Sequence, residues 1–229
     1  ADIFYQEKDY SKALEYYEKI SDTSLQKKSI TRKCQCLYIL EKFDDVISTL
    51  SPLLKDETQK IDFKQEMQFI LADSLYRKMK TVEDVDQQKT FAAEARTLFL
   101  GLYNTTYKEK VLLPLAEVHR TLGDHPAATS LFTILAEKMP EKKEEILLQI
   151  ATLQMNYNRS GAIDTFQQIV DMGKSKAPDA AYNELIFLFQ DNRFTDLINR
   201  ATALAEHLPW DRKPLFDFCQ NLSLCYTRK

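Results

Sequence analysis

The chain has 229 residues, of which 44% are hydrophobic and 28% charged, with a formal net charge of −3. That balance excludes a disordered tail, and without a basic excess nucleic acid is not an expected partner, because phosphate binding needs a positive field. Only 4 glycines and 7 prolines occur, too few for the tight turns of a sandwich, barrel or doubly wound sheet, so long helices with short connections are expected.

The first segment, Ala1-Asp2-Ile3-Phe4-Tyr5, already reads as the middle of a helix, with no initiator Met and no basic, apolar leader before it. A piece of a longer chain is the expectation. After a turn at Lys8-Asp9, the residues Ala13, Tyr17 and Ile20 lie at i, i+4 and i+7, one face of a helix. The second pair repeats this with Cys34 and Leu37, a turn at Lys42-Phe43-Asp44, then Val46, Leu50 and Leu53.

The third pair carries Ala72 and Leu75, then Ala95, Phe99 and Leu102. Ala72 and Ala95 are 23 residues apart, against 12 for the matching residues of the first, second and fourth pairs. The surplus is the charged stretch 78–89, expected as a lengthened helix or an extended turn, either simply solvated or a partner contact. Ala116, His119, Gly123-Asp124, Ala128, Phe132 and Leu135 form the fourth pair. Gly123 suits a left-handed C-terminal cap, and Asp124 can cap the helix that follows. The fifth is Ala151 and Leu153, then Ala162, Phe166 and Ile169; the sixth is Leu185 and Leu188, a turn at Asn192-Arg193, then Leu197, Ala201 and Leu204. A further helix is read over 214–226, with Leu222 and Cys225 as its apolar positions.

The first members of the triplets are spaced by 33, 49, 33, 34 and 35 residues. A period near 34 marks a stacked array, because one helix pair cannot bury both of its apolar faces alone. Small–x–x–large, a turn with Lys-Asp or Gly-Asp, and Ala-x-x-x-aromatic-x-x-aliphatic together resemble the tetratricopeptide repeat, best in residues 115–135. Pro140 falls where that family often places its inter-repeat proline, while Trp is missing from every first helix. The resemblance implies an all-α, right-handed superhelical solenoid over 1–229, of about six helix pairs plus one further helix, and a scaffold or adaptor that binds a protein or peptide.

In such an array the first helices line the concave wall. The column four residues after the small position holds Tyr5, Tyr38, Tyr76, Arg120, Met155, Phe189 and Tyr226. These residues can pack between neighbouring first helices or can line a groove for a peptide, with Arg120 as polar anchor. Gln35, Asp73, Arg77 and Glu117 flank the column. Relatives that grip chaperone tails use Lys and Asn at places where this chain has Thr31 and Gln35, then Phe69, Ile70 and Asp73, so chaperone tails are disfavoured.

No catalytic residues, metal site or cofactor are read from the sequence. His119, His125 and His207 are scattered, and His119 is expected as a packed core residue. The paired carboxylates Asp44-Asp45 and Glu144-Glu145 suit solvated helix starts. Cys34, Cys36, Cys219 and Cys225 lack metal-ligand spacing and read as small buried residues of a reducing, cytoplasmic protein. No stretch of about 20 apolar residues predicts a membrane span. Against the scaffold stand two alternatives: first a structural subunit that self-associates or joins a larger complex through its repeat ends, and after it a helical-repeat domain appended to a catalytic one that supplies the active site.

Overall fold

The computed structural model describes residues 1–55, 63–173 and 175–207. Among them every regular element is helical: twelve α-helices and one 3₁₀ turn. The helix read over 214–226, with Cys219, Cys225 and Tyr226, lies outside the described residues. The chain divides into two compact units, Ala1–Asp124 and His125–Lys229.

Unit 1 contains α1 (Asp2–Gln6), α2 (Tyr10–Glu18), α3 (Thr23–Ile39), α4 (Phe43–Lys55), α5 (Lys64–Thr81), α6 (Val85–Leu102) and α7 (Lys108–Thr121). Each helix packs on the next, and α5 also touches α3 and α7. The core is built by the expected positions: Ala13, Val46, Ala95 and Phe99 are sealed from solvent, as are Cys34, Ala72 and Ala116 on the first helices. Small side chains let the helix axes approach, and burying each large neighbour contributes ~1.5–3 kcal/mol.

One turn recurs in register. Lys8, Glu41 and Gly123 all have left-handed φ, at +62°, +57° and +77°, and each lies seven residues after the small residue of its first helix. In each, two amides reach back to the helix end: Asp9 N to Phe4 O, Lys42 N to Leu37 O and Asp124 N to His119 O, each 2.9 Å, with a companion bond from the left-handed residue itself. These are the crossed bonds of a Schellman cap. Only Gly123 occupies that conformation without a Cβ penalty.

The charged stretch 78–89 takes the lengthened-helix form. α5 and α6 run for 18 residues each, joined at 82–84, and Asp84 caps α6 by accepting from Gln87 N at 2.7 Å. A surplus of 11 residues is close to three helical turns. Ala95 and Phe99 therefore return to the buried face instead of rotating to solvent.

Unit 2 contains α8 (His125–Lys138), a 3₁₀ turn at Pro140–Lys142, α9 (Lys143–Gln154), α10 (Arg159–Asp171), α11 (Ala177–Gln190) and α12 (Phe194–His207). Consecutive α-helices pack on one another. Ala128, Phe132, Ala162, Phe166 and Ile169 are buried as the triplets require, and so are Leu185, Leu188, Leu197 and Leu204. The left-handed turn returns at Asn192, with φ +57° and Arg193 N bonded to Leu188 O at 2.9 Å. In the fifth pair Asn158 instead caps α10, accepting from Gly161 N.

Candidate functional site

The first helices of unit 1 place the sequence column and its flanks in direct contact. Tyr38 on α3 donates its hydroxyl to Asp73 Oδ2 on α5 at 2.6 Å, and Tyr76 on α5 donates to Glu117 Oε2 on α7 at 2.6 Å. Tyr5 on α1 donates to Gln35 Oε1 on α3 at 2.9 Å, and the Gln35 amide passes the chain on to Glu66 at 2.7 Å. The acceptor in every case lies one residue after the small position of the next first helix. Ring edges complete the seating, Tyr38 against Phe43 and Tyr76 against Phe99, with centroids 6.2 and 6.5 Å apart.

The electrostatics match these contacts. Burial, with the bonded carboxylate second, pushes the Tyr38 phenol up to about 12, and the same causes raise Tyr76 well above the ordinary phenol value. Asp73 is buried yet holds two donors, Tyr38 and its own-helix neighbour Arg77, whose Nε lies 2.7 Å away. A carboxylate placed in the interior is tolerated when hydrogen bonds saturate it. Lys80 Nζ stands 3.4 Å from Glu117 and 3.3 Å from the Tyr76 hydroxyl.

A cation sits at each seam between first helices. Arg32 is 3.2 Å from Asp2 and lies over the Tyr5 ring. Arg77 lies over Tyr38 and Phe43, and Lys80 over Tyr76. The seam motif is thus tyrosine, hydrogen-bond acceptor and cation, repeated along α1, α3, α5 and α7. Arg120, exposed on α7, lies close enough to Tyr76 to temper its shift electrostatically.

Met155 and Phe189 belong to unit 2. Met155 is half-buried at the end of α9, and Phe189 on α11 is 40% exposed with its ring edge-on to Phe194 at 6.0 Å. Neither side chain has a hydroxyl to donate, so the phenol ladder has no counterpart at these positions. Unit 2 instead uses charge. Glu184 on α11 is 2% exposed and accepts from Arg200 Nε on α12 at 2.8 Å. Desolvation raises the Glu184 carboxyl above its ordinary value despite that partner. Both residues line a cavity of about 390 Å³ walled by α10, α11 and α12, with Asp164, Gln167, Asp196 and Asn199 among its other residues.

One expectation is corrected. Glu144 is not a solvated helix start: it is buried and accepts from Lys176 N at 2.6 Å and Ser175 Oγ at 3.3 Å, tying the entry of α11 to α9. Asp44 and Asp45 do lie in the first turn of α4. His119 is a packed residue, its Nδ1 3.0 Å from Asp124 Oδ2. Cys34 and Cys36 are buried free thiols, pushed up by desolvation to about 12 and about 11. Among the described residues no group of His, Cys, Asp and Glu could hold a metal, and no helix is long and apolar enough to cross a membrane.

Sequence reasoning named the tyrosines and their acceptors but not their pairing, nor Glu66, Arg32 and Lys80. The available signal was Tyr four residues after one small position and Gln, Asp or Glu one residue after the next. Compared with known proteins, the chain matches no family model and no curated protein sequence.

Proposed function

We propose that the chain is a non-catalytic interaction scaffold, built from tetratricopeptide-like repeats in a right-handed solenoid, that holds a peptide segment of another protein on the first-helix face of unit 1. The observation that carries this reading is the ladder Tyr5–Gln35, Tyr38–Asp73 and Tyr76–Glu117, with bonds of 2.6–2.9 Å. It fastens successive first helices edge to edge, so their faces form one preorganised surface. Preorganisation matters because ordering loose side chains on binding costs about 0.5–1.5 kcal/mol each. Four large apolar residues are exposed on these helices: Ile3 on α1 (70%), Leu25 and Ile39 on α3 (53% and 45%) and Leu113 on α7 (45%).

The tyrosine rings themselves serve as packing between helices, and their hydroxyls are occupied. Contacts to a partner therefore fall to what surrounds them, Arg77 and Arg120 before Tyr38 and Tyr76. The experiment is selection of peptides from a random 12-residue library, followed by hydrogen exchange on the complex. The reading expects enriched sequences whose binding slows exchange in α3, α5 and α7. Protection confined to other helices, or no enrichment from the library, contradicts it.

A further inference from the structure

We propose that the partner segment held by unit 1 is acidic and extended, with carboxylates spaced to meet the cation at each seam; this rests on the scaffold reading above. The first reason is the vertical order of charge. The acceptors are sunk, with the Asp73 and Glu117 side chains 10% and 15% exposed, whereas Arg77 and Lys80 stand at 46% and 54% and Arg120 is exposed. Asp73 and Glu117 are already engaged by tyrosine hydroxyls and neighbouring cations, while the exposed seam carboxylates, Asp2 and Glu41, stand 3.2 Å from Arg32 and 3.9 Å from Arg77.

The second reason is how the cations are held. The Arg77 guanidinium carbon lies 5.9 Å from the Tyr38 centroid and 5.4 Å from that of Phe43, and Lys80 Nζ lies 5.2 Å from that of Tyr76. An aromatic face under a cation orients it. Arg77 spends Nε on Asp73 and brings Nη1 within 3.9 Å of the exposed Glu41 carboxylate, a distance that leaves this surface pair open to exchange for a partner's carboxylate in the same planar fork. The third reason is composition. Helices α3, α5 and α7 carry eleven Lys and Arg against four Asp and Glu, while α2, α4 and α6 carry four against six. The basic excess belongs to one set of helices and not to the unit.

A polyphosphate suits this face less well than a peptide, since Asp73 and Glu117 lie directly beneath its cations and the chain is −3 overall. The geometry also gives a register. Packed helices lie ~8–10 Å apart and an extended chain advances ~3.3 Å per residue, so one seam corresponds to about three residues. A segment with Asp or Glu at every third position fits best.

The test uses the full chain and fluorescence anisotropy at low salt. The probe is a labelled 12-residue peptide with Glu at every third position and Ser or Ala between. Binding is expected, weakened at least tenfold by Arg77→Gln with Lys80→Gln, and weakened by added salt. Lys78→Gln is the control: Lys78 pairs with Asp44 on α4 at 3.0 Å, so the substitution removes one positive charge away from the seams, to be compared per charge with the two lost in the double variant. Equal loss in the control, a preference for the Lys-substituted peptide, or tighter binding of a single-stranded oligonucleotide overturns the inference. If apolar library peptides bind and protect α3, α5 and α7 with no response to the two substitutions, the scaffold survives and the acidic partner does not. If no peptide of any composition binds, both fail.

Discussion

The two units solve the same packing problem and differ in what they do with polar groups. In unit 1 the first helices are joined by phenols that donate to sunk acceptors, and every seam leaves a cation exposed. In unit 2 the charges turn inward: Glu144 is buried and ties the residues leading into α11 to α9, and Glu184 is buried against Arg200. A neutral phenol donating to a carboxylate joins two helices while desolvating only one charge. A buried ion pair desolvates two, and its Coulomb gain often does no more than offset that cost. Under the proposed scaffold reading, unit 1 is the outward-facing one and the polar groups of unit 2 are structural.

The largest expected effect is one in which the units should not differ. Phe99 and Phe132 are both sealed from solvent, so Phe99→Ala and Phe132→Ala should each cost ~3–5 kcal/mol in denaturant unfolding. A gap of several kcal/mol between them would mean that the cores are not equivalent.

Next comes the ion pair. Arg200→Ala strands a buried carboxylate and should cost about 3 kcal/mol at neutral pH. Burial raises the Glu184 pKa above its ordinary value of 4.5, so the folded chain holds that proton more tightly than the unfolded one. Its contribution therefore favours folding at low pH and is lost as pH rises through the folded value. The Arg200→Ala penalty should accordingly shrink on acidification and be largely absent in Arg200→Ala/Glu184→Gln. A penalty independent of pH would show that the guanidinium acts through packing alone.

Unit 1 should respond at the opposite end of the scale. The Tyr38 phenol moves from 10.0 up to about 12 on folding, so its contribution is complete below pH 10 and lost as pH rises through 12. Following amide exchange in α3 and α5 through that window should reveal loosening that Tyr38→Phe lacks. At neutral pH the same substitution should cost ~1.5–3 kcal/mol, as for other hydrogen bonds to charged groups.

A smaller effect, of opposite sign, belongs to the turns. Glu41 holds φ +57° with a Cβ, and Glu41→Gly should stabilise by ~1 kcal/mol, since L-residues are disfavoured in that region by about that amount. No gain in thermal midpoint would mean that the carboxylate of Glu41, 3.9 Å from Arg77, matters more than the backbone.

The helix pairs were legible because burial follows periodicity. Ala13, Val46, Ala95, Ala128 and Ala162 recur every 33 or 34 residues except across the enlarged third pair, and all five are sealed from solvent. The left-handed turn could be read only at Gly123, because Lys8, Glu41 and Asn192 occupy the same conformation without glycine as a marker. The ladder was half legible. Tyr38, Tyr76, Asp73 and Glu117 stood out by position, but a hydrogen bond between residues 35 or 41 apart depends on how closely two axes approach. Glu184–Arg200 gave no sequence signal, since a carboxylate on a helix ordinarily faces solvent.

The central claim is that phenol–acceptor bonds couple successive first helices into one surface, and a double-mutant cycle across the α5–α7 seam tests it most directly. Tyr76→Phe, Glu117→Gln and the double variant should give a coupling energy of about 1–2 kcal/mol in denaturant unfolding, as for residues in direct polar contact. Strictly additive losses would contradict the claim and reduce the ladder to a set of independent surface contacts.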